Sequence, residues 1–327
     1  MPNNPDGSAV VDEYLAAHPS LPSRQLARIM YKEHPLLWPT WDAVYAAVRY
    51  RRGAIGKRNR SRAGIEEPTT PVRKIPASHN REFKPFIMDG VEKVAILSDI
   101  HVPYHTPEAI ECAVNRALKE DVDGIILNGD TIDCHKLSAF IPDPRARNFK
   151  QERDTTNELL AYLRERFPGA RIVWRDGNHE DRYGNYMKTK APEVFALDEF
   201  SFENLFAFDE HDIEYVTDKR IIMVGGLAVM HGHEFFKGFA PPVNPARGAY
   251  LKAKQSCLVG HHHRTSEHTE TTLDGTMITT WSVGCLSDLH PKYSPFNNYN
   301  HGAAIIHLDG DEFHVHNYRI VNGRALN

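Results

Sequence analysis

Short apolar runs punctuate this chain, and their spacing predicts most of its elements. Val94–Ser98, Gly124–Leu127 and Ile172–Trp174 are continuously apolar but short, so they read as buried strands. Between the first two, Ile110, Ala113, Val114, Ala117 and Leu118 fall at helical spacing and predict a helix over Pro107–Glu120. Gln151–Phe167 predicts a second helix ahead of the third strand. Strand, helix and strand form a βαβ unit, which is right-handed by strong precedent. Ile221–Val224 and Leu227–Met230 flank Gly225-Gly226, the signature of a hairpin. Alternation in the last third predicts strands at Met277–Val283, Ala303–Leu308 and Glu312–Tyr318. Between these lie a loop from Thr131 to Asn148, a mostly helical stretch from Tyr183 to Phe208, and an irregular loop from Phe235 to Ala246.

The first quarter of the chain has a different pattern. Residues 1–9 are polar and are expected to fray. Short helices are predicted over Val10–Ala17, Ser23–His34 and Trp41–Arg52, with Ser23 and Thr40 placed as caps and Gly53 as a stop. Residues 54–82 are rich in Pro, Thr, Arg and Lys without a hydrophobic period, the composition of a linker. Phe83–Ile87 predicts an edge strand. The expected organisation is a small helix-turn-helix-like domain at 1–53, a linker at 54–82 and an α/β domain at 83–327.

Composition narrows the class. A chain of 327 residues with 41% hydrophobic and 25% charged positions has the makeup of a soluble globular protein. It shows no apolar run long enough to span a bilayer and no secretory signal pattern, so we expect a cytoplasmic protein without a membrane partner. The four cysteines are scattered without a Cys-x-x-Cys pair, which predicts reduced thiols in or near the core.

Charge is uneven. Residues 1–82 hold 13 Lys/Arg against 8 Asp/Glu, and the remainder holds 26 against 35. Arg49, Arg51, Arg52, Lys57, Arg58, Arg60 and Arg62 follow one another with no acidic residue between them. One reading is a nucleic-acid contact through phosphates. The other is a solvated helix end favoured by the helix dipole, followed by a flexible linker.

The apolar runs carry a second pattern at their ends. Val94–Ser98 leads to Asp99 and His101, and Ile125–Leu127 to Gly129-Asp130 with Asp133 beyond. Arg171–Trp174 leads to Gly177-Asn178-His179-Glu180, Leu227–Met230 to His231, and Cys257–Gly260 to His261-His262-His263. Carboxylate oxygens and imidazole nitrogens together suit manganese, iron or zinc. Each motif alone is weak; five in succession at strand ends are specific.

This ordered series resembles the calcineurin-like metallophosphoesterases, whose motifs are Asp-x-His, Gly-Asp-x-x-Asp, Gly-Asn-His-Asp/Glu, a lone His and Gly-His-x-His. The resemblance covers roughly Lys93 to Tyr318. It implies a four-layer α/β/β/α sandwich carrying two divalent cations, manganese first, with iron, zinc or nickel as alternatives. It assigns Asp99, His101, Asp130 and His263 to one cation and Asp130, Asn178, His231 and His261 to the other. Asp130 is shared, and His179 binds phosphate or protonates the leaving group. Asp133 and Glu180 would hold a histidine or backbone in place, and Arg182 would reach phosphate or form a surface ion pair. His135, His233 and His262 read as neighbours of the motifs, with Tyr104 and His105 as candidates for the cleft wall.

The expected activity is hydrolysis of phosphate esters, first as a phosphodiesterase or nuclease on nucleic acid or nucleotides. The basic run and the loop around Arg145 and Arg147 favour that choice. The alternative is a phosphomonoesterase of proteins or small molecules. A third alternative is a nucleic-acid-binding regulator with a relic metal centre. A relic would lack ligands, and the motif set lacks none.

Overall fold

The computed structural model describes residues 5–53, 60–61, 64, 75–80, 82–138, 148–235, 243–310 and 312–326. The chain divides into two compact units, Met1–Arg81 and Glu82–Asn327.

In the first unit, α1 (Pro5–Ala17), α2 (Ser23–Glu33) and α3 (Trp41–Arg51) enclose a core of Val11, Leu26, Ala27, Met30, Trp38, Val44 and Val48. Helix α1 starts at Pro5, five residues before the expected start, so the polar opening is partly ordered rather than frayed. Ser23 does not cap α2. Pro22 takes the cap position, and Ser23 Oγ accepts from Arg52 Nη1 at 3.1 Å. Thr40 does cap α3, accepting the Ala43 N–H. Gly53 stops the helix with a left-handed φ of 67°, which costs glycine nothing.

The second unit contains two sheets. The first has the order β1-β6-β7-β8-β10-β9: Phe86–Ile87, Ile222–Val224, Leu227–Met230, Cys257–Val259, Met277–Ser282 and Ser266–Thr271. The second has the order β13-β12-β11-β2-β3-β4-β5: Arg324–Leu326, Glu312–Val321, His301–Asp309, Lys93–Leu97, Gly124–Asn128, Arg171–Arg175 and Ile213–Val216. Strands β2 to β5 are parallel, and β11, β12 and β13 run antiparallel to their neighbours. Helices α4 (Pro107–Lys119), α5 (Phe149–Arg166), α6 (Glu180–Lys190) and α7 (Pro245–Ala253) complete the unit with several single turns.

The continuous apolar runs reflect burial on both faces. Along β2, Val94 and Ile96 join Ile222, Val229, Leu258 and Val283 between the sheets. Ala95 and Leu97 point the other way, against Ala113 of α4 and Leu160 of α5. On the outer face of the six-stranded sheet, Ala228, Cys257 and Val259 pack with Ala249 of α7. The layers are therefore α/β/β/α, as expected. Each fully buried Ile or Leu contributes about 1.5–3 kcal/mol by area removed from water. Cys134, Cys257 and Cys285 are buried and Cys112 partly so, all as free thiols.

Three strands went unpredicted: β5, β9 and β13. Each lies at the edge of its sheet. The sequence of β9, Ser-Glu-His-Thr-Glu-Thr, is mostly polar because neither face meets a full core. Edge strands carry polar side chains for that reason, and the apolar signal fades. Helix α5 begins at Phe149, two residues before the expected start, because Asn148 caps it by accepting the Gln151 N–H at 3.0 Å.

Candidate metal centre

Parallel pairing decides where the motifs meet. Strands β2, β3 and β4 run the same way, so Asp99, Asp130 and Asn178 follow their carboxyl ends at one edge of the sheet. Strands β7 and β8 are also parallel, and His231 and His261 follow their ends. The two sheets are joined at this edge. Asn128 Nδ2 donates to the Met230 carbonyl at 3.0 Å, and His231 Nδ1 lies 2.8 Å from the Asn128 carbonyl.

The backbone turns sharply to aim these side chains inward. Asp99, His101, Asp130, His261 and His263 all take left-handed φ values between 51° and 66°. That conformation costs an L-residue roughly 1–2 kcal/mol, and it clusters at functional sites. Close approach also demands glycine. A Cβ on Gly177 would lie 2.2 Å from Asp130 Oδ1, and one on Gly129 would lie 2.6 Å from His231 Nδ1.

Two sets of ligand atoms converge. Asp99, His101 and His263 form one: His263 Nε2 is 3.2 Å from Asp99 Oδ1 and 3.1 Å from His101 Nε2. Asp130, His231 and His261 form the other, with His231 Nε2 3.2 Å from Asp130 Oδ2. Asp130 Oδ2 also lies 3.8 Å from His101 Nε2 and 3.7 Å from His179 Nε2. His101, Asp130 and His179 make a third convergent group, a combination the motifs alone do not offer.

The surrounding groups fix orientation. Asp133 Oδ1 accepts at 3.1 Å from His101 Nδ1 and lies 3.0 Å from His179 Nδ1, so the His101 Nε2 lone pair faces the pocket. The Asn128 carbonyl does the same for His231. Glu180 accepts the backbone N–H groups of Asp130, Thr131 and Gly177 at 2.8–2.9 Å. Arg182 donates to the Asp133 carbonyl at 2.7 Å and to His179 Nε2 at 2.9 Å, and its ion pair is with the Asp133 carboxylate at 4.0 Å, so its partners belong to the site. Ser98 and Asn128, which the motifs pass over, are both buried here. Ser98 Oγ donates to Asp99 Oδ2 at 2.6 Å. Each is the polar residue that closes an apolar run, and that was the signal available.

The family model for calcineurin-like phosphoesterases matches residues 92–274. The chain belongs to the calcineurin-like phosphoesterase family. No curated protein matched the chain. Among solved structures, a dimetal phosphatase from Danio rerio is 12% identical with a TM-score of 0.35, covering 70% of this chain and 96% of its own. The phosphoesterase Yfce from E. coli is 14% identical with a TM-score of 0.33, covering 72% and 97%. Vacuolar protein sorting 29 from Cryptosporidium parvum is 12% identical with a TM-score of 0.40, covering 72% and 95%.

The pocket of this phosphoesterase fits two divalent cations. Asn178 Oδ1 is buried without a hydrogen-bond partner. His231 Nε2 makes no well-formed hydrogen bond although Asp130 Oδ2 is near. Burial alone would push the Asp99 and Asp130 carboxyls up, yet the imidazoles around them win, and both are held well below the usual carboxylate range. The imidazoles answer. Burial opposes charge on His231, but Asp130 and Asp99 push it up to about 10, and Asp99 raises His263 likewise. These protons stand where cationic charge belongs, and metal binding displaces them. Burial and His231 push His261 down to about 3, leaving it neutral and able to ligate. The family and these clusters together support a dinuclear divalent metal site.

Around this centre, Tyr299 packs against His263 with centroids 4.5 Å apart, and His233 packs 5.4 Å from His231. Tyr104 meets His135 edge-on at 6.4 Å. In the amino-terminal unit, Arg49 lies over Tyr45 at 5.6 Å, and Arg51 pairs with Asp12 at 3.2 Å. Arg52 is spent on Ser23 and the carbonyls of His18 and Pro19. Lys57, Arg58, Arg62, Arg145 and Arg147 lie outside the described residues. No helix among the described residues is long and apolar enough to cross a membrane.

Proposed function

We propose that this phosphoesterase hydrolyses phosphodiesters, in nucleic acid or nucleotides, at a pair of divalent cations. Asp99, His101, Asp130 and His263 hold one cation, and Asp130, Asn178, His231 and His261 hold the other. One observation carries the reading: Asp130 Oδ2 is faced by His231, His179 and His101, so a single carboxylate stands at the meeting point of the imidazoles. Bound there, two cations supply an acidified water and neutralise charge on the phosphate.

The chain's own residues do the rest. Asp133 and the Asn128 carbonyl keep the imidazoles aimed, and Glu180 pins the turns that carry Asp130 and Asn178. With Arg182 turned from His179 to the phosphate, His179 Nε2, which carries no proton while it accepts from Arg182, takes one up from solvent, as the Asp130 and Asp133 charges favour, and delivers it to the leaving oxygen. For an alkoxide leaving group that proton is worth roughly 10²–10⁴-fold in rate. The preference for diesters is supported by the basic run from Arg49 to Arg62, which no acidic residue interrupts.

The test compares bis-(p-nitrophenyl) phosphate with p-nitrophenyl phosphate in the presence of Mn²⁺. The diester should be turned over faster. A clear preference for the monoester would overturn the diester reading and leave a phosphomonoesterase. For the basic run, the full chain carrying Arg49→Gln, Lys57→Gln and Arg58→Gln should bind oligonucleotides more weakly. Its salt slope should become shallower by about one for each phosphate it no longer neutralises. An unchanged slope would assign the run to solvent.

A further inference from the structure

A second cluster of histidines lies on the seven-stranded sheet, away from the catalytic edge. Strands β11 and β12 are antiparallel, with His307 opposite His314 and Ile305 opposite His316. Residues two apart on a strand share a face, so all three imidazoles rise from the same side. Helix α4 packs on that side, and the residue after it, Glu120, brings Oε2 to 3.7 Å from His307 Nε2. His316 stands between the other two rings, with centroids 4.6 Å from His314 and 5.1 Å from His307.

Those spacings have a meaning. Two imidazoles on one tetrahedral cation, with bonds of about 2.0–2.1 Å, place their centroids about 5 Å apart. The pairs proposed to surround the catalytic cations are spaced alike, at 5.0 Å for His101 and His263 and 5.2 Å for His231 and His261. His307 Nε2 is buried and has no hydrogen-bond partner.

We propose that His307, His314 and His316, with the Glu120 carboxylate, form a separate site for a borderline divalent cation such as Zn²⁺, Ni²⁺ or Cu²⁺. Imidazoles and a carboxylate are the donors such ions prefer. The ligand atoms of the three rings and Glu120 are not gathered about one point as those of the catalytic groups are. Binding therefore requires χ1 and χ2 rotation of the partly exposed rings, on strands whose register places them side by side. The site is remote from catalysis. His307 pairs with Lys93 at the start of β2, whereas Asp99 lies beyond its far end, about 20 Å along the strand. Two other cations face the cluster. Arg116 Nη2 holds Glu120 Oε1 at 2.7 Å, and Lys93 Nζ donates to the Glu120 carbonyl at 2.8 Å. Both anchor Glu120 with Oε2 turned toward His307. A bound ion ties β11 and β12 to the end of α4.

The experiment equilibrates the full chain with excess Zn²⁺, removes loosely held ion by gel filtration, and counts zinc per chain. His314→Gln/His316→Gln should carry one equivalent less than the parent and hydrolyse phosphate esters at the same rate. The difference is the readout, so it does not depend on how many ions the catalytic centre takes. Equal zinc content in parent and variant, with equal zinc-induced shifts in Tm, would overturn the proposal. Should the double variant fail to fold, His314→Gln alone, at an exposed position, should bind the ion at least tenfold more weakly. Unchanged affinity there would be equally fatal.

Discussion

Asp133 serves two imidazoles with one carboxylate, since Oδ1 faces Nδ1 of both His101 and His179. Asp133→Asn keeps the shape but removes charge and one acceptor face. Metal content at the proposed first site and kcat/KM should fall by roughly 10–100-fold, with the fold intact by circular dichroism. Normal metal content and kinetics would show that the ions alone orient the rings. Gly177 is a steric constraint of another kind. A Cβ there would meet Asp130 Oδ1 and the Asp130 amide nitrogen at 2.2 and 2.5 Å, and backbone cannot move cheaply. Gly177→Ala should lower both Tm and metal affinity, checked by thermal melting with and without Mn²⁺; a variant unaffected in both would mean the two turns are free to separate. Glu152 offers a pH test away from the ligands. It is 1% exposed, and burial, helped by the Asp133 charge, pushes its carboxyl from the ordinary 4.5 up to about 7. The folded state therefore holds this proton more tightly than the unfolded chain. Its contribution is intact below pH 4.5 and lost as pH rises through 7. Glu152→Gln should be more stable than the parent at about pH 8, by roughly 1–3 kcal/mol, and lose that advantage near about pH 5. Equal stability at both values would refute a buried, raised carboxyl.

At the scale of elements, the sequence was most readable where burial is complete. Strands β2, β3 and β4 are apolar on both faces, so their continuous apolar runs revealed them, and the ligand motifs stood out within a few residues of the end of each run. Strand β9 was invisible for the opposite reason: its residues are mostly exposed, and pairing with β10 supplies what the pattern lacks. The convergent residues were legible because each motif follows a strand end, and parallel strands bring such ends together. Their supports were less so. Arg182 reads equally as a phosphate ligand or a surface ion pair until α6 folds it back onto Asp133, and Asn128 looks like the tail of a strand until the facing sheet brings His231 to it. Neighbours set by the packing of one sheet on another leave no periodic mark in sequence.

For the whole molecule, charge and metal set the behaviour. The catalytic unit carries the acidic excess, and the buried carboxylates Asp99 and Asp130 lie at the ligand edge. Dialysis against EDTA should abolish hydrolysis and lower Tm, and both should return on adding Mn²⁺. At a hundredfold excess over Kd, each ion contributes about 2.7 kcal/mol of stability, so the shift in Tm is easily measured. Activity that survives chelation would remove the ions from the reaction.

The order in which these groups leave the ribosome has a consequence for assembly. Asp99 is translated about 160 residues before His263, and the proton or ion that offsets its charge needs imidazoles from the later part of the chain. A nascent polypeptide ending before β8 would close its core on Asp99 with only His231, which Asp130 shares, to offset its charge, so the sandwich should stay ajar until synthesis has passed His263. Closure of the centre should thus come late in synthesis, with His263, the last of its ligand histidines, acting as the latch.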